Sequence, residues 1–453
     1  MTHRRTPKPQ RSLATSLRLV AGSAIVLLAL PAVAQPPSEM PDPAPAANSA
    51  PVPAAAPGDD RLPGDNPLYE DLYPLTNPVE ELEEIYEPQL GSVDVGEFES
   101  PLDFFAEKSR ALETATGLRV SLAYTMIGQQ ASGGPGVRSG ASGDLDLMFD
   151  WTLLGRGTTD TGRFIFTVEE RFKIGPDPAS ALGGGVGSLT NTTGGFNDRG
   201  TVVRDVLWAQ RVFDDTLRLW VGRMDISDYF GGHRLQSINN AFSNRAFSAL
   251  ATAGSPGHGL GAVATYRPTD EFYVTVGGAN AYGRTTTSTA DRFFEDFDLF
   301  YMSEFGFTPE IEGLGRGRYA VALWYLAERE DPNIDSDAGF ALIADQDLNE
   351  TFFAFARYQW ADEALERIKN SVQVGLGING LLGSQDNVTG VAFGFADPDP
   401  DGLRDEKVIE AFHRWQLTRY TQFSLGAQLI LDPSNAPDDD AVGVFTARVR
   451  IAF

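Results

Sequence analysis

The chain has 453 residues, with 36 Lys and Arg against 62 Asp and Glu (net charge −26), no cysteine and four histidines. That acidity argues against nucleic-acid binding through a basic surface, and the absent thiols exclude disulfides, thiolate zinc sites and a Cys nucleophile. With a mean hydropathy of −0.19, 47 Gly and 29 Phe, the composition suits a turn-rich all-β protein better than a helical membrane bundle.

Residues 1–18 carry Arg4, Arg5, Lys8, Arg11 and Arg18 without an acid, followed by an apolar stretch over 19–30 and then Ala32-Val33-Ala34. A basic region, a short apolar core and a small-x-small site predict a secretory signal peptide over 1–34, cleaved after Ala34. The core falls short of the roughly 18 residues a spanning helix needs. Residues 35–65 are Pro- and Ala-rich and read as a disordered spacer. Residues 66–100 hold ten acids and no Lys or Arg; this segment is a solvated acidic tail or a periplasmic docking segment. No other stretch is apolar enough for a helical span, so a membrane location requires a barrel.

From Leu118 the pattern changes to period two. Strands are predicted at 118–127, 143–154, 162–173, 200–211, 215–224, 258–267, 270–279, 298–306, 317–327, 339–346, 351–360, 369–378, 388–396, 405–415, 420–430 and 441–453. The strand at 162–173 sets Phe164, Phe166, Val168 and Phe172 against Thr167, Glu169, Arg171 and Lys173. That at 351–360 sets Phe352, Ala354, Ala356, Tyr358 and Trp360 against Arg357 and Gln359. The last sets Phe445, Ala447, Val449, Ile451 and Phe453 against Val444, Thr446, Arg448 and Arg450. Ten-residue segments with one apolar and one polar face fit a transmembrane barrel, apolar to lipid and polar to a wet lumen. Connections alternate long (128–142, 174–199, 225–257) and short (155–161, 213–216, 268–269), as external loops and periplasmic turns do; the alternation blurs at 307–316. The expected fold is therefore all-β, an antiparallel transmembrane barrel of about sixteen strands over 101–453, entered through a short helix.

Several segments resemble the carbohydrate-selective outer-membrane porin family of the OprB type. Arg110-Ala111-Leu112-Glu113 with Gly117 is similar to that family's helical lead into the first strand. Val221-Gly222-Arg223-Met224-Asp225 with Asp228-Tyr229-Phe230 is similar to its V-G-K-x-D…D-Y-F run. Asn240-Ala241-Phe242-Ser243-Asn244, Gly259-Leu260-Gly261, and the stretch from Glu410 through Arg414-Trp415-Gln416-Leu417-Thr418 to Asp432-Pro433 follow it in outline. Asp432 and Leu429 stand where that family has Asn and Tyr.

The resemblance implies a passive sugar channel in the outer membrane of a Gram-negative bacterium, working without a cofactor and not as an enzyme. Implied partners are a carbohydrate substrate, outer-membrane lipid and lipopolysaccharide, and the barrel assembly machinery acting on Phe453. No nucleic acid is expected, and the chain is a monomer or a trimer.

The 225–257 loop is long enough to fold into the lumen as a constriction. It carries Asp225, Asp228, Tyr229, His233, Arg234, Asn240 and Arg245, whose forks and carboxylates suit pairs of sugar hydroxyls. The expected lumen wall adds Glu169, Arg171, Arg357, Glu410, Arg414, Arg448 and Arg450. Its arginines keep a second possibility open, a general porin or one for acidic solutes. Asp397-Pro398-Asp399-Pro400-Asp401-Gly402 resembles the opening of a calcium loop, but Val408 stands where such a loop needs Glu, which favours a solvated acidic loop. A barrel enzyme would need a Ser–His pair on the outer wall. His413 is the candidate there, with no nucleophile at an identifiable spacing.

Overall fold

The structure, a computed structural model, describes Gly91 and residues 100–453 apart from 296, 330–333 and 400–401. The expected signal peptide, spacer and nearly all of the acidic segment lie outside the described residues.

A helix, α1 (Ser100–Thr116), leads into β1 (Leu118–Ala131). Gly117 joins them at φ +78°, its N–H bonded to Glu113 O. A Cβ there would lie 2.5 Å from Thr152 O, so this left-handed helix stop admits only glycine. The chain then meanders through β2 (Ser139–Leu154), β3 (Gly162–Lys173), β4 (Gly200–Val212), β5 (Leu217–Met224), β6 (Gly259–Tyr266), β7 (Phe272–Asn280) and β8 (Leu299–Phe307). After a two-residue rung, β9 (Glu310–Ile311), come β10 (Gly315–Leu326), β11 (Asp337–Asp347), β12 (Phe352–Ala361), β13 (Ile368–Asn379), β14 (Val388–Pro398), β15 (Glu406–Gln416), β16 (Thr421–Leu431) and β17 (Ala441–Ala452). Every neighbour pair is antiparallel, and β1 pairs with β17 in the register Ala123↔Ala452. Leaving the rung aside, this is a closed sixteen-stranded barrel with no free edge.

The predicted strands are present within a few residues of their expected ends. The expected loop 128–142 is the main boundary correction: β1 and β2 run on as a paired ribbon, Gln130↔Ser139, and only 132–138 connects them. Ladder hydrogen bonds need no apolar side chain, so the Gly- and Ser-rich ends extend the strands where hydropathy stops marking them. Both chain termini of the barrel, α1 and Phe453, lie at the end that carries the short turns 213–216, 348–351 and 417–420. The long connections 174–199 and 225–258 lie at the other.

Outward positions are apolar, with aromatic residues gathered in two belts. At the terminal end Phe272 stacks on Phe307 (4.7 Å between centroids) and Trp415 on Phe423 (5.7 Å). At the far end Tyr301 meets Tyr325 (6.4 Å) and Phe340 meets Trp360 (5.8 Å). His413 belongs to this outer face, edge-on to Trp415 and bonded to Thr389 Oγ1 at 2.7 Å. The interior is not an empty tube. Trp220, Met224, Phe300, Trp324 and Leu326 point inward and pack with Ile226, Tyr229 and Phe230 of the 225–258 connection. A second apolar group joins Phe353, Phe355, Val408 and Phe412 to Phe242 and Phe247 of the same connection.

Candidate functional site

The 225–258 connection enters the interior at β5. Asp225 caps its first turn, accepting from Ser227 N–H at 3.0 Å and from the Ser227 hydroxyl at 2.7 Å. Asp228 faces Arg204 of β4 at 3.3 Å. Burial, then the charge of Asp225, holds the Asp228 carboxyl well above the usual carboxylate range, against the pull of Arg204. Tyr229 is buried edge-on to Trp220, 5.4 Å between centroids.

From Gly231 the loop lies along the inner wall, and its backbone groups meet inward side chains one after another. Gly231 N–H donates to Glu304 of β8 at 2.7 Å. Arg318 of β10, which also pairs with Glu304, donates to Gly232 O at 2.8 Å. Arg234 donates to Asp345 at 2.7 Å, pairs with Asp347 and lies 4.5 Å over the Phe353 ring. His233 is fully buried and stacks flat on Phe355 at 3.9 Å. Leu235 N–H donates to its Nδ1 (3.2 Å) and its Nε2 lies 2.7 Å from Phe247 O, so the ring is neutral with the proton on Nε2. Burial, with Arg357 adding to it, keeps its pKa well below the ordinary imidazole value.

Arg357 of β12 ties the two limbs of the loop together. It is 2% exposed and donates to Gly231 O (2.9 Å), Ala249 O (2.6 Å), and Ala246 O and Phe247 O (both 3.3 Å), with Gln373 Oε1 on its Nε (3.0 Å). The wall makes room for these rings with glycine. A Cβ at Gly375 or Gly377 of β13 would lie 2.2 or 2.1 Å from the rings of Phe355 or Phe353.

The loop tip crosses to the opposite wall. Glu410 of β15 accepts from Ser243 N–H (2.8 Å) and Asn244 N–H (2.9 Å). Arg448 of β17 donates to Ala241 O (2.6 Å) and Ser243 Oγ (3.1 Å). Asn244 binds Gln428 at 3.0 Å and caps the short helix α2 (Arg245–Ser248). Arg245 reaches Glu366 at 2.9 Å, and Asn240 is buried beside the tip. The 174–199 connection folds inward too. Glu406 gathers the N–H groups of Leu189 (2.7 Å) and Thr190 (3.0 Å) and the Ser188 hydroxyl (2.8 Å). Arg245 N–H joins this loop at Asn191 O, 3.2 Å away.

The remaining interior wall, from β15 through β17 and β1 to β4, carries a row of charges among inward apolar residues such as Met148, Ile165 and Leu207. Arg414 and Arg448 flank Ser424 in register, and Arg450, Thr125, Asp144 and Arg171 form one cross-strand row. Arg171 pairs with Asp144 (2.8 Å) and Glu169 (2.7 Å), Glu169 also with Arg199, and Arg450 donates to Thr125 Oγ1 (3.1 Å). Carboxylate oxygens of Asp144, Asp146 and Glu169 lie within 4.8 Å of one another, but the guanidiniums of Arg171 and Arg199 occupy the place a cation would take. Of the calcium candidates, Asp397 accepts from Asn370 at 2.7 Å, Asp399 is exposed, and Asp401 lies outside the described residues.

The candidate residues therefore fall into two groups. Asp225, Tyr229, His233, Arg234, Asn240, Arg245, Arg357 and Glu410 fold or fasten the loop. Glu169, Arg171, Asp228, Arg414, Arg448 and Arg450 lie on or against the charged wall, Arg448 serving both. Glu304, Arg318, Asp345 and Glu406 escaped notice as loop partners, and Asp144 and Asp146 as wall residues. Period-two placement on an inward face was the available signal for Asp144 and Asp146.

A family model described as carbohydrate-selective porin, OprB family, matches residues 139–453. Porin AaxA of Chlamydia muridarum (strain MoPn / Nigg) is 23% identical over 280 residues, covering 60% of this chain and 60% of its own length. Porin AaxA of Chlamydia trachomatis serovar D is 21% identical over the same shares, so the match spans about 60% of the length of these curated relatives. The high-pH structure of Pseudomonas putida OprB aligns over 81% of this chain and 100% of that one, with TM-score 0.62 at 16% identity, a likeness of fold.

Proposed function

The chain belongs to the OprB family of carbohydrate-selective porins, and from that premise we propose that it lets mono- and oligosaccharides diffuse passively into the periplasm, with the 225–258 loop as the constriction. Family and barrel point to an outer-membrane channel rather than an enzyme. The supporting observation is the loop crossing the interior from β5 to Glu410 and Arg448 on the far wall; together with the 174–199 connection, which Gln129 and Gln428 hold at Thr192 O (3.0 and 2.8 Å), it narrows the path for solute beside the charged strip between β15 and β4. Along that strip guanidiniums and carboxylates flank Thr125 of β1 on neighbouring strands. Such groups exchange hydrogen bonds with paired sugar hydroxyls as readily as with water, so flux needs no energy source.

A second reading rests on Arg414, Arg448 and Arg450, three inward cations on β15 and β17: the strip favours anionic solutes. Conductance of the full chain in a planar bilayer, titrated with glucose, maltose-type sugars and an anionic sugar, decides between them. Block by neutral sugars supports the carbohydrate channel. Block by the anionic sugar alone replaces it with the second reading, and a folded barrel without conductance refutes both.

A further inference from the structure

The helix α1 has three faces, one of which is largely exposed among the described residues. Its 3.6-residue period sets Leu102, Ala106, Ser109 and Glu113 on one stripe. This stripe meets the barrel: Ala106 and Ser109 are buried, the Ser109 hydroxyl donates to Val120 O at 2.6 Å, and Glu113 pairs with Arg119 at 2.7 Å. Asp103, Glu107, Arg110 and Thr114 form a polar arc. The third arc holds Phe104, Phe105, Ala111, Leu112 and Ala115, interrupted by Lys108 alone. Phe104 is 53% exposed, Phe105 55% and Leu112 37%. A soluble rim helix would bury such an arc or replace it with polar residues.

The position of the helix identifies what covers the arc. It crosses the rim at the start of β1, with Glu113 on the inward-facing Arg119 and its two ends on outward aromatic residues of the neighbouring strands. Near its N-terminus Phe105 stacks on Phe453 beyond β17, 5.9 Å between centroids at 27°. At its C-terminus Thr116 O accepts from the indole N–H of Trp151 on β2 at 3.1 Å. Trp151, Leu153 and Leu154 are themselves exposed, so the apolar arc, interrupted by Lys108, adjoins the barrel's lipid-facing belt. Lys108 lies 5.3 Å over the Phe104 ring, an apolar stem with a charge free to reach upward to a head group.

We infer that α1 is an interfacial helix, lying in the head-group plane of the membrane leaflet at the terminal end with Phe104, Phe105 and Leu112 in the acyl boundary. Its partner is a phospholipid surface, and it shields the aromatic ring of Phe453 in the folded barrel. The inference rests on the barrel's place in a membrane and is independent of which solute passes.

The absence of native cysteine permits a direct test. Phe104→Cys, Leu112→Cys and Thr114→Cys of the full chain are labelled with an environment-sensitive fluorophore and reconstituted into phosphatidylethanolamine–phosphatidylglycerol vesicles. Val372→Cys, on the outer face of β13, and Arg156→Cys, in the exposed 155–161 turn, serve as references. Expected is quenching of the 104 and 112 labels by spin-labelled lipid at least about half as strong as at 372, with little quenching by aqueous iodide. The 114 label falls between these and 156. Iodide quenching at 104 and 112 matching that at 156 overturns the inference, because water and not lipid then covers the arc. The 112 label keeps the test decisive if replacing Phe104 loosens the helix.

Discussion

Two sectors of the barrel obey the same alternation and line their interiors with different mixtures of apolar and charged side chains. From β5 to β12 the inward positions hold Trp220, Phe300, Trp324 and Phe355; from β15 through β17 and β1 to β4 they hold Arg414, Arg448, Arg450, Asp144, Asp146 and Glu169. The difference follows the path of the 225–258 loop. Where the loop's first limb rests on β5 to β12, inward side chains lose water and many are apolar. The loop's own backbone polar groups still need partners in that dry layer, so single charges such as Glu304, Arg318 and Arg357 stand among the aromatics as fasteners. Alternation thus fixes which way a side chain points. What occupies the space it points into is decided by a loop that lies far away in sequence.

The strongest way to break this contrast is to release the loop from the apolar sector. Arg357→Met removes the donor shared by both limbs and strands several buried carbonyls, each costing about 1–3 kcal/mol. Expected are a larger, noisier single-channel conductance and sugar block weakened about tenfold, a loss of roughly 1.4 kcal/mol in binding. The heat-modifiable mobility of the assembled barrel should be unchanged. Wild-type conductance in this variant would mean that the loop is held without Arg357. Trp324→Ala tests the packing beneath. A buried Trp replaced by Ala costs about 3–5 kcal/mol, so the thermal unfolding midpoint should drop with little change in ion selectivity.

In the charged sector the opposite pattern is expected. Arg414→Gln leaves stability within about 1 kcal/mol, because that side chain is only half-buried, whereas Arg450→Gln also loses a buried bond to Thr125 and should cost more. They should lower the anion-to-cation permeability ratio by about two- to threefold, read from the reversal potential in a salt gradient. An unchanged ratio in both would show that these arginines do not face the permeation path.

The sequence made the barrel legible in some detail. Period two separates Phe164, Phe166 and Val168 from Thr167 and Glu169, and the structure keeps them on opposite faces. The length of 225–257 marked the loop that folds inward, and Asp225 and Asp228 mark where it begins. The fastening was not legible, because Arg357 meets carbonyls more than a hundred positions away and carbonyls carry no residue signature. Phe353 and Phe355 alternate correctly with Ala354 and Ala356, yet hydropathy cannot distinguish a ring against lipid from a ring against a loop. His233 looked like a hydroxyl-binding group because it is polar, but its neutral ring is consumed by Leu235, Phe247 and Phe355. The alternating Asp144 and Asp146 were visible, but their charge partners lie on other strands and on the 174–199 loop.

The smallest effect tests the junction of the sectors, where Asp228 begins the loop and faces Arg204 across the charged wall. Its carboxyl titrates well above the ordinary range because of burial first and Asp225 second. The folded state therefore holds this proton more tightly than the unfolded chain. The resulting stabilisation is complete below the unfolded value, near 3.9, and is lost as pH rises through the folded value. Protonation thus relieves the junction instead of weakening it, and removes one negative charge from beside the path. Lowering the pH through the folded value should shift permeability toward anions by less than about twofold. In Asp228→Asn, which keeps the shape and lacks the proton, the shift should shrink. An equal shift in both proteins would place the titrating group elsewhere, on the exposed rim and not where the loop leaves the wall.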